Sequence, residues 1–127
     1  LIVIHTSTPS VLSDARTAEH LKRELPGVVI GFVGAHTMVL PEETLRQAPA
    51  VDFVTNGEFD DSVREVAEGR PLAEVDGITF RNPDGTFSRT PDRPPIHDLD
   101  RFPFVVDVYA KFLDIESYYI GYLQHPY

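Results

Sequence analysis

Apolar runs alternate with amphipathic stretches along the first 70 residues. Leu1-Ile2-Val3-Ile4 is an unbroken apolar run, the pattern of a strand buried on both faces. The polar turn 5–10 follows, and Ser13 is placed to cap a helix running to about Leu25. Ala18, Leu21 and Leu25 recur at helical spacing and predict its buried face. Pro26-Gly27 ends it. The plan then repeats. Val28 to Val33 reads as a strand rich in β-branched residues, Gly34-Ala35-His36 as a turn, and Pro41 as the first residue of a helix. Glu42 and Glu43 put negative charge at that helix's positive end. The third unit is a strand over 51–54, the turn Thr55-Asn56-Gly57-Glu58, and a helix from about Asp60 to Glu68 that buries Val63, Val66 and Ala67.

Beyond residue 70 the periodicity changes. Residues 77–81 and 86–89 flank Asn82-Pro83-Asp84-Gly85 and predict a β-hairpin. Residues 90–95 are Pro-rich and read as an extended linker. The tail, 96–127, carries Phe102, Phe104, Tyr109, Phe112, Tyr118, Tyr119, Tyr122 and Tyr127, too aromatic for a disordered segment. The expected organisation is therefore an α/β domain over 1–75, a hairpin and linker over 76–95, and an aromatic arm over 96–127.

Three strand–loop–helix units in succession predict a doubly wound parallel sheet of Rossmann type with right-handed crossovers. Ligands of such sheets lie beyond the carboxyl ends of the strands. That directs attention to the loops at 5–10, 34–40 and 55–59.

The net charge of −9 argues against a nucleic-acid partner. No apolar run approaches the ~20 residues a membrane-spanning helix needs. The absence of cysteine rules out disulfides, thiolate zinc sites and iron–sulfur clusters held by these residues, and fits a cytoplasmic protein. Because the chain opens at Leu1, inside an apolar run, it is expected to be a piece of something longer, truncated at its N-terminus.

Thr6, Ser7 and Thr8 place hydroxyls just past the first strand, where they either donate to a ligand or satisfy turn and cap groups. Gly34 and Ala35 permit close approach of a flat ligand, and His36 adds a polar group that stacks, hydrogen-bonds or is purely structural. Asn56, Gly57 and Glu58 form a similar small-plus-polar turn, with Glu58 alternatively capping the next helix. No Gly-x-Gly-x-x-Gly or P-loop lysine motif is present. His5, His20, His97 and His125 lack metal-ligand spacing, and no nucleophile–base set is recognisable. The residues alone reach a ligand module that does not bind a nucleotide, with no catalytic or metal-ligating residue assigned.

"LIVIHTSTPS", "VGAHTMVLPEE", "VDFVTNGEFDDSVREVAEG", and "GITFRNPDG" followed by "RPPIHDLDRFPF" occur in this order. Together they resemble the cobalamin-binding module that precedes the barrel of B12-dependent radical S-adenosylmethionine enzymes. The nearest likeness is to the anaerobic magnesium-protoporphyrin monomethyl ester oxidative cyclase type, including the radical enzymes associated with hopanoid biosynthesis. In that family a segment like "YYIGYLQHPY" leads into the barrel and its three-cysteine motif.

The resemblance implies that Ser7 stands for the serine of a Ser-x-Leu element, here Ser7-Thr8-Pro9, and Gly34-Ala35 for a Gly-Gly element. It implies that Thr6, Ser7, Thr8, Gly34, Ala35, His36, Asn56, Gly57 and Glu58 face the corrin and its nucleotide tail. The family's Asp-x-His-x-x-Gly loop, whose histidine can ligate cobalt, occurs nowhere in the chain. The implied cofactor is cobalamin, held by the full-length protein, with an iron–sulfur cluster and S-adenosylmethionine confined to a downstream barrel. The implied partner is that barrel. A second copy of the chain is a further candidate at an exposed sheet edge. Two alternatives stand beside this reading: a degenerate Rossmann-like module for assembly or substrate capping without cofactor, and the N-terminal domain of a glycosyltransferase-like enzyme.

Overall fold

The computed structural model describes residues 1–114 and 117. It forms two compact units, Leu1–Pro95 and Ile96–Tyr127. The first runs β1 (Ile2–His5), α1 (Val11–Glu24), β2 (Ile30–Val33), α2 (Ala35–Val39), α3 (Pro41–Gln47), β3 (Phe53–Thr55) and α4 (Asp60–Ala67). A 3-10 turn (Leu72–Glu74), β4 (Ile78–Arg81) and β5 (Phe87–Arg89) complete it.

The strands form one sheet in the order β1-β2-β3-β4-β5. β1, β2 and β3 are parallel, with Ile2 opposite Ile30 and Gly31 opposite Phe53. β4 and β5 are antiparallel additions, with Val54 opposite Thr79 and Phe80 opposite Ser88. The fold is thus α/β, and the sheet is mixed because the hairpin joins it. The hairpin turn forms as its residues dictate: Asn82 and Thr86 pair through their backbones, Asp84 accepts from the Thr86 amide, and Gly85 takes φ +85°.

Helices cover both faces. On one, Ala15 and Ala18 of α1 and Leu45 of α3 pack on Ile30, Phe32 and Val54. On the other, Val66 of α4, Leu72 and Val75 pack on Phe53, Ile78 and Phe80. Alanines at the α1 contact let the helix approach the sheet closely.

Several expectations are corrected. β1 is not buried on both faces: Val3 and His5 are exposed, because among the described residues β1 is a sheet edge. α1 begins at Val11 with Ser10 in the cap position, since the Ser7 carbonyl already accepts from the amides of Ser10 and Val11. Ser13 instead donates its hydroxyl to the Ser10 carbonyl at 2.7 Å, and Leu25 lies past the helix end, exposed. The buried face of α4 is Asp61, Ser62 and Glu65, with Val66 only partly buried and Ala67 exposed. Polar partners make this tolerable: Ser62 donates to the Asp76 carbonyl at 2.8 Å, and Glu65 meets Arg93 at 2.6 Å and Arg70 at 2.8 Å.

The Pro-rich arm 90–95 is docked rather than free. Thr90 donates its amide to the Ile78 carbonyl and Gly77 donates to Pro91. Arg93 Nε reaches Ser62 and the Asp76 carbonyl, both at 3.0 Å. The second unit is not extended throughout: Val105–Phe112 forms α5, with Phe104, Val106 and Phe112 exposed. Tyr118, Tyr119, Tyr122, Tyr127 and His125 lie outside the described residues.

Candidate functional site

Because β1, β2 and β3 are parallel, their carboxyl ends share one rim. All nine residues singled out from the sequence follow those ends, three per loop.

The loops are tied to one another. The Thr6 amide donates to the Val33 carbonyl at 2.9 Å. The Thr8 hydroxyl and His36 Nδ1 lie 3.0 Å apart. Thr37, fully buried, directs its hydroxyl at the Gly34 carbonyl (2.8 Å) and the Thr55 carbonyl (2.9 Å), so the ends of β2 and β3 are held by one side chain.

Gly34 has φ +118°, a conformation L side chains rarely adopt. A Cβ there would stand 2.6 Å from the Thr6 carbonyl oxygen. That single glycine makes the reversal, so Ala35 and His36 begin α2 at once instead of forming a turn. His36 is consequently buried at 8% exposure, and its Nε2 is a buried atom without a hydrogen-bond partner. An unpaired buried ring nitrogen is costly.

The remaining side chains divide by accessibility. Thr6 is fully buried and its hydroxyl donates to Asp14 at 2.7 Å. Ser7 is half-buried, with its hydroxyl 2.9 Å from that of Ser10. Thr8, Ala35 and Glu58 are exposed, whereas Asn56 and Gly57 are half-buried. Asn56 accepts from the Thr79 hydroxyl at 2.8 Å through Oδ1. Phe59, not Glu58, holds the cap position of α4, and its side chain makes no capping hydrogen bond.

The rim also carries residues to which the sequence assigned no role. Met38, Val39 and Leu40, in the stretch 34–40 expected as a rim loop, lie at the end of α2 and are all exposed. Apolar type alone does not separate them from core residues. Asp92 and Arg93 were read as linker, yet with Asn56, Gly57, Glu58 and Gly77 they line a cavity of about 150 Å³. Behind it, burial alone would raise the Glu65 carboxyl, but hydrogen bonds from Arg93 and Arg70 outweigh this and hold it below the ordinary range. Among the described residues no group of three His, Asp or Glu side chains is arranged to hold a metal ion.

The rim thus combines an exposed Ala35, exposed apolar side chains and neutral hydroxyls. Such a set suits a large, flat, weakly charged ligand.

No protein-family model matches the chain. Its sequence is 35% identical over 101 residues to the anaerobic magnesium-protoporphyrin IX monomethyl ester cyclase of Rubrivivax gelatinosus, covering 74% of this chain and 18% of that enzyme. It is 31% identical over 107 residues to an uncharacterised methyltransferase of Pyrococcus horikoshii, covering 80% of this chain and 23% of that protein. The fold is similar to part of the cobalamin-dependent S-adenosylmethionine radical enzyme OxsB, solved with aqua-cobalamin and S-adenosylmethionine bound. The TM-score is 0.60 at 14% identity, over 75% of this chain and 14% of that one. The chain resembles the B12-dependent radical S-adenosylmethionine enzymes. It spans about a fifth of the length of the two sequence relatives. Among the described residues no helix is long and apolar enough to cross a membrane.

Proposed function

We propose that this region binds cobalamin at the carboxyl rim of its sheet, as a non-catalytic part of a cytoplasmic radical S-adenosylmethionine enzyme. The observation that carries the reading is the mutual fastening of the three rim loops through Thr8–His36, Thr6–Val33 and Thr37–Thr55. A rim held this way is preorganised, so little conformational entropy is lost when a ligand is seated. Cobalamin, when bound, supplies a redox-active cobalt. The chain's own part is to hold the corrin: Ala35 through close backbone approach, with Gly34 making the turn that presents it, Met38 and Val39 through apolar contact, Ser7, Thr8 and Asn56 through hydrogen bonds.

The likeness to the Rubrivivax cyclase favours a tetrapyrrole-type substrate for the whole protein over a hopanoid. In this reading S-adenosylmethionine and an iron–sulfur cluster belong to a barrel elsewhere in the full-length protein. The test is titration of the full-length protein with hydroxocobalamin, followed by visible absorbance. A saturable spectral shift is the expected result. Its absence would favour an assembly or capping module without cofactor.

A further inference from the structure

The chain has two asparagines, Asn56 and Asn82. An asparagine side chain can be attacked at its carbonyl carbon by the backbone nitrogen of the next residue. A following glycine eases the approach because it has no Cβ. Asn82 precedes Pro83, which carries no N–H and cannot attack. Asn56 precedes Gly57, just past the end of β3.

The fold leaves this pair ready to react. Asp76-Gly77 and Asp84-Gly85 are the related acidic pairs. Gly77 donates its amide to the Pro91 carbonyl at 2.7 Å and Gly85 donates to the Asn82 carbonyl at 2.9 Å, so both nitrogens are engaged. Among the described residues the Gly57 amide donates to nothing, and a Cβ on Gly57 would meet nothing within 4 Å. Asn56 Oδ1 accepts from the Thr79 hydroxyl at 2.8 Å, a donor aimed at the oxygen on which negative charge develops. Asn56 Nδ2, the leaving nitrogen, is buried without a hydrogen-bond partner, so no bond holds it back. Both residues line the cavity of about 150 Å³, which has room for the water that the reaction consumes.

We propose that Asn56 is a site of spontaneous deamidation, an inference that goes beyond the cobalamin reading and does not depend on it. The Gly57 nitrogen gives up its proton and bonds to Asn56 Cγ. The Cγ–Nδ2 bond breaks, and ammonia leaves with that proton. Water then opens the resulting cyclic imide at either carbonyl, giving aspartate or isoaspartate with no change of oxidation state. Either product adds one negative charge to the rim. Isoaspartate also lengthens the backbone by a methylene beside the Asn56 amide, which donates to the Gly77 carbonyl at 2.8 Å. Gly77 in turn donates to Pro91, so the change reaches the docked arm 90–95.

The test incubates the full-length protein at mildly alkaline pH, which favours loss of the amide proton, and follows residue 56 by peptide mass spectrometry. Aspartate and isoaspartate should accumulate at 56 while Asn82 stays intact, at a rate of the same order as in the urea-unfolded chain. Gly57→Ala should slow the conversion several-fold while exchange protection of β3 is kept. Thr79→Val should slow it in the folded protein and not in the unfolded chain, whereas Thr79→Ser, which keeps the hydroxyl, should retain the wild-type rate. Conversion far slower in the folded protein than in the unfolded chain would overturn the site. So would an unchanged rate in Gly57→Ala, or in folded Thr79→Val.

Discussion

The ring of Phe53 lies across the backbone of Gly31, its partner in the neighbouring parallel strand. A Cβ on Gly31 would stand 2.2 Å from the ring's Cζ. Both residues are buried, and Phe53 anchors the core that β3 shares with β4, Val66 and Val75. Glycine in a strand interior is ordinarily weakening, so its presence here reflects the space the ring occupies.

Gly31→Ala should therefore destabilise this unit by about 1–3 kcal/mol through overpacking. Amide hydrogen exchange across β2 and β3 in the full-length protein measures the loss. The same change made with Phe53→Leu should cost clearly less, since the two effects share one space. Equal costs in both backgrounds would show that the ring is not the cause.

Thr37 joins the carboxyl ends of β2 and β3 by one hydroxyl. Thr37→Val keeps the shape and removes the one hydroxyl proton that the Gly34 and Thr55 carbonyls share, a cost of about 1–3 kcal/mol. Exchange of the amides at 34–37 and 55–57 should accelerate, with weaker retention of cobalamin, while β4–β5 stays protected.

Ala35 is exposed on the rim and opens α2. Ala35→Trp should alter stability by only about 0.5 kcal/mol, as surface changes usually do. If the corrin lies where we propose, it should nevertheless abolish or strongly reduce the hydroxocobalamin shift by occupying that seat. An unchanged titration would remove this loop from the site.

Glu65 carries a pH prediction. Its folded carboxyl titrates below the ordinary glutamate value of about 4.3 because Arg93 and Arg70 donate to it. The unfolded chain thus takes up this proton first as pH falls. The stabilisation is present above about pH 4.3 and lost on acidification through the folded value. Exchange protection of the arm 90–95 should decline over that range. In Glu65→Gln the arm should be looser at neutral pH, with that part of the acid dependence gone.

Much of the fold was legible because it is written locally. Val28 to Val33 and the Asn82-Pro83-Asp84-Gly85 turn announce themselves through side-chain type and short-range backbone preference. The rim loops were legible too, since parallel order alone puts residues 6–8, 34–36 and 56–58 on one side. The burial of Asp61 and Glu65 was not. An acidic helix face reads as solvated until Arg93, distant in sequence, arrives to neutralise it.

The amino-acid order determined where the strands and the helices α1, α3 and α4 lie, to within a few residues, because periodicity, β-branching and turn residues act over a few neighbours. Tertiary structure alone decided that His36 is enclosed by α2, that Phe53 requires Gly31, and that the arm 90–95 walls a cavity. Those outcomes depend on which distant side chains meet once the sheet is assembled, and sterics and charge pairing of that kind exist only between residues already brought together.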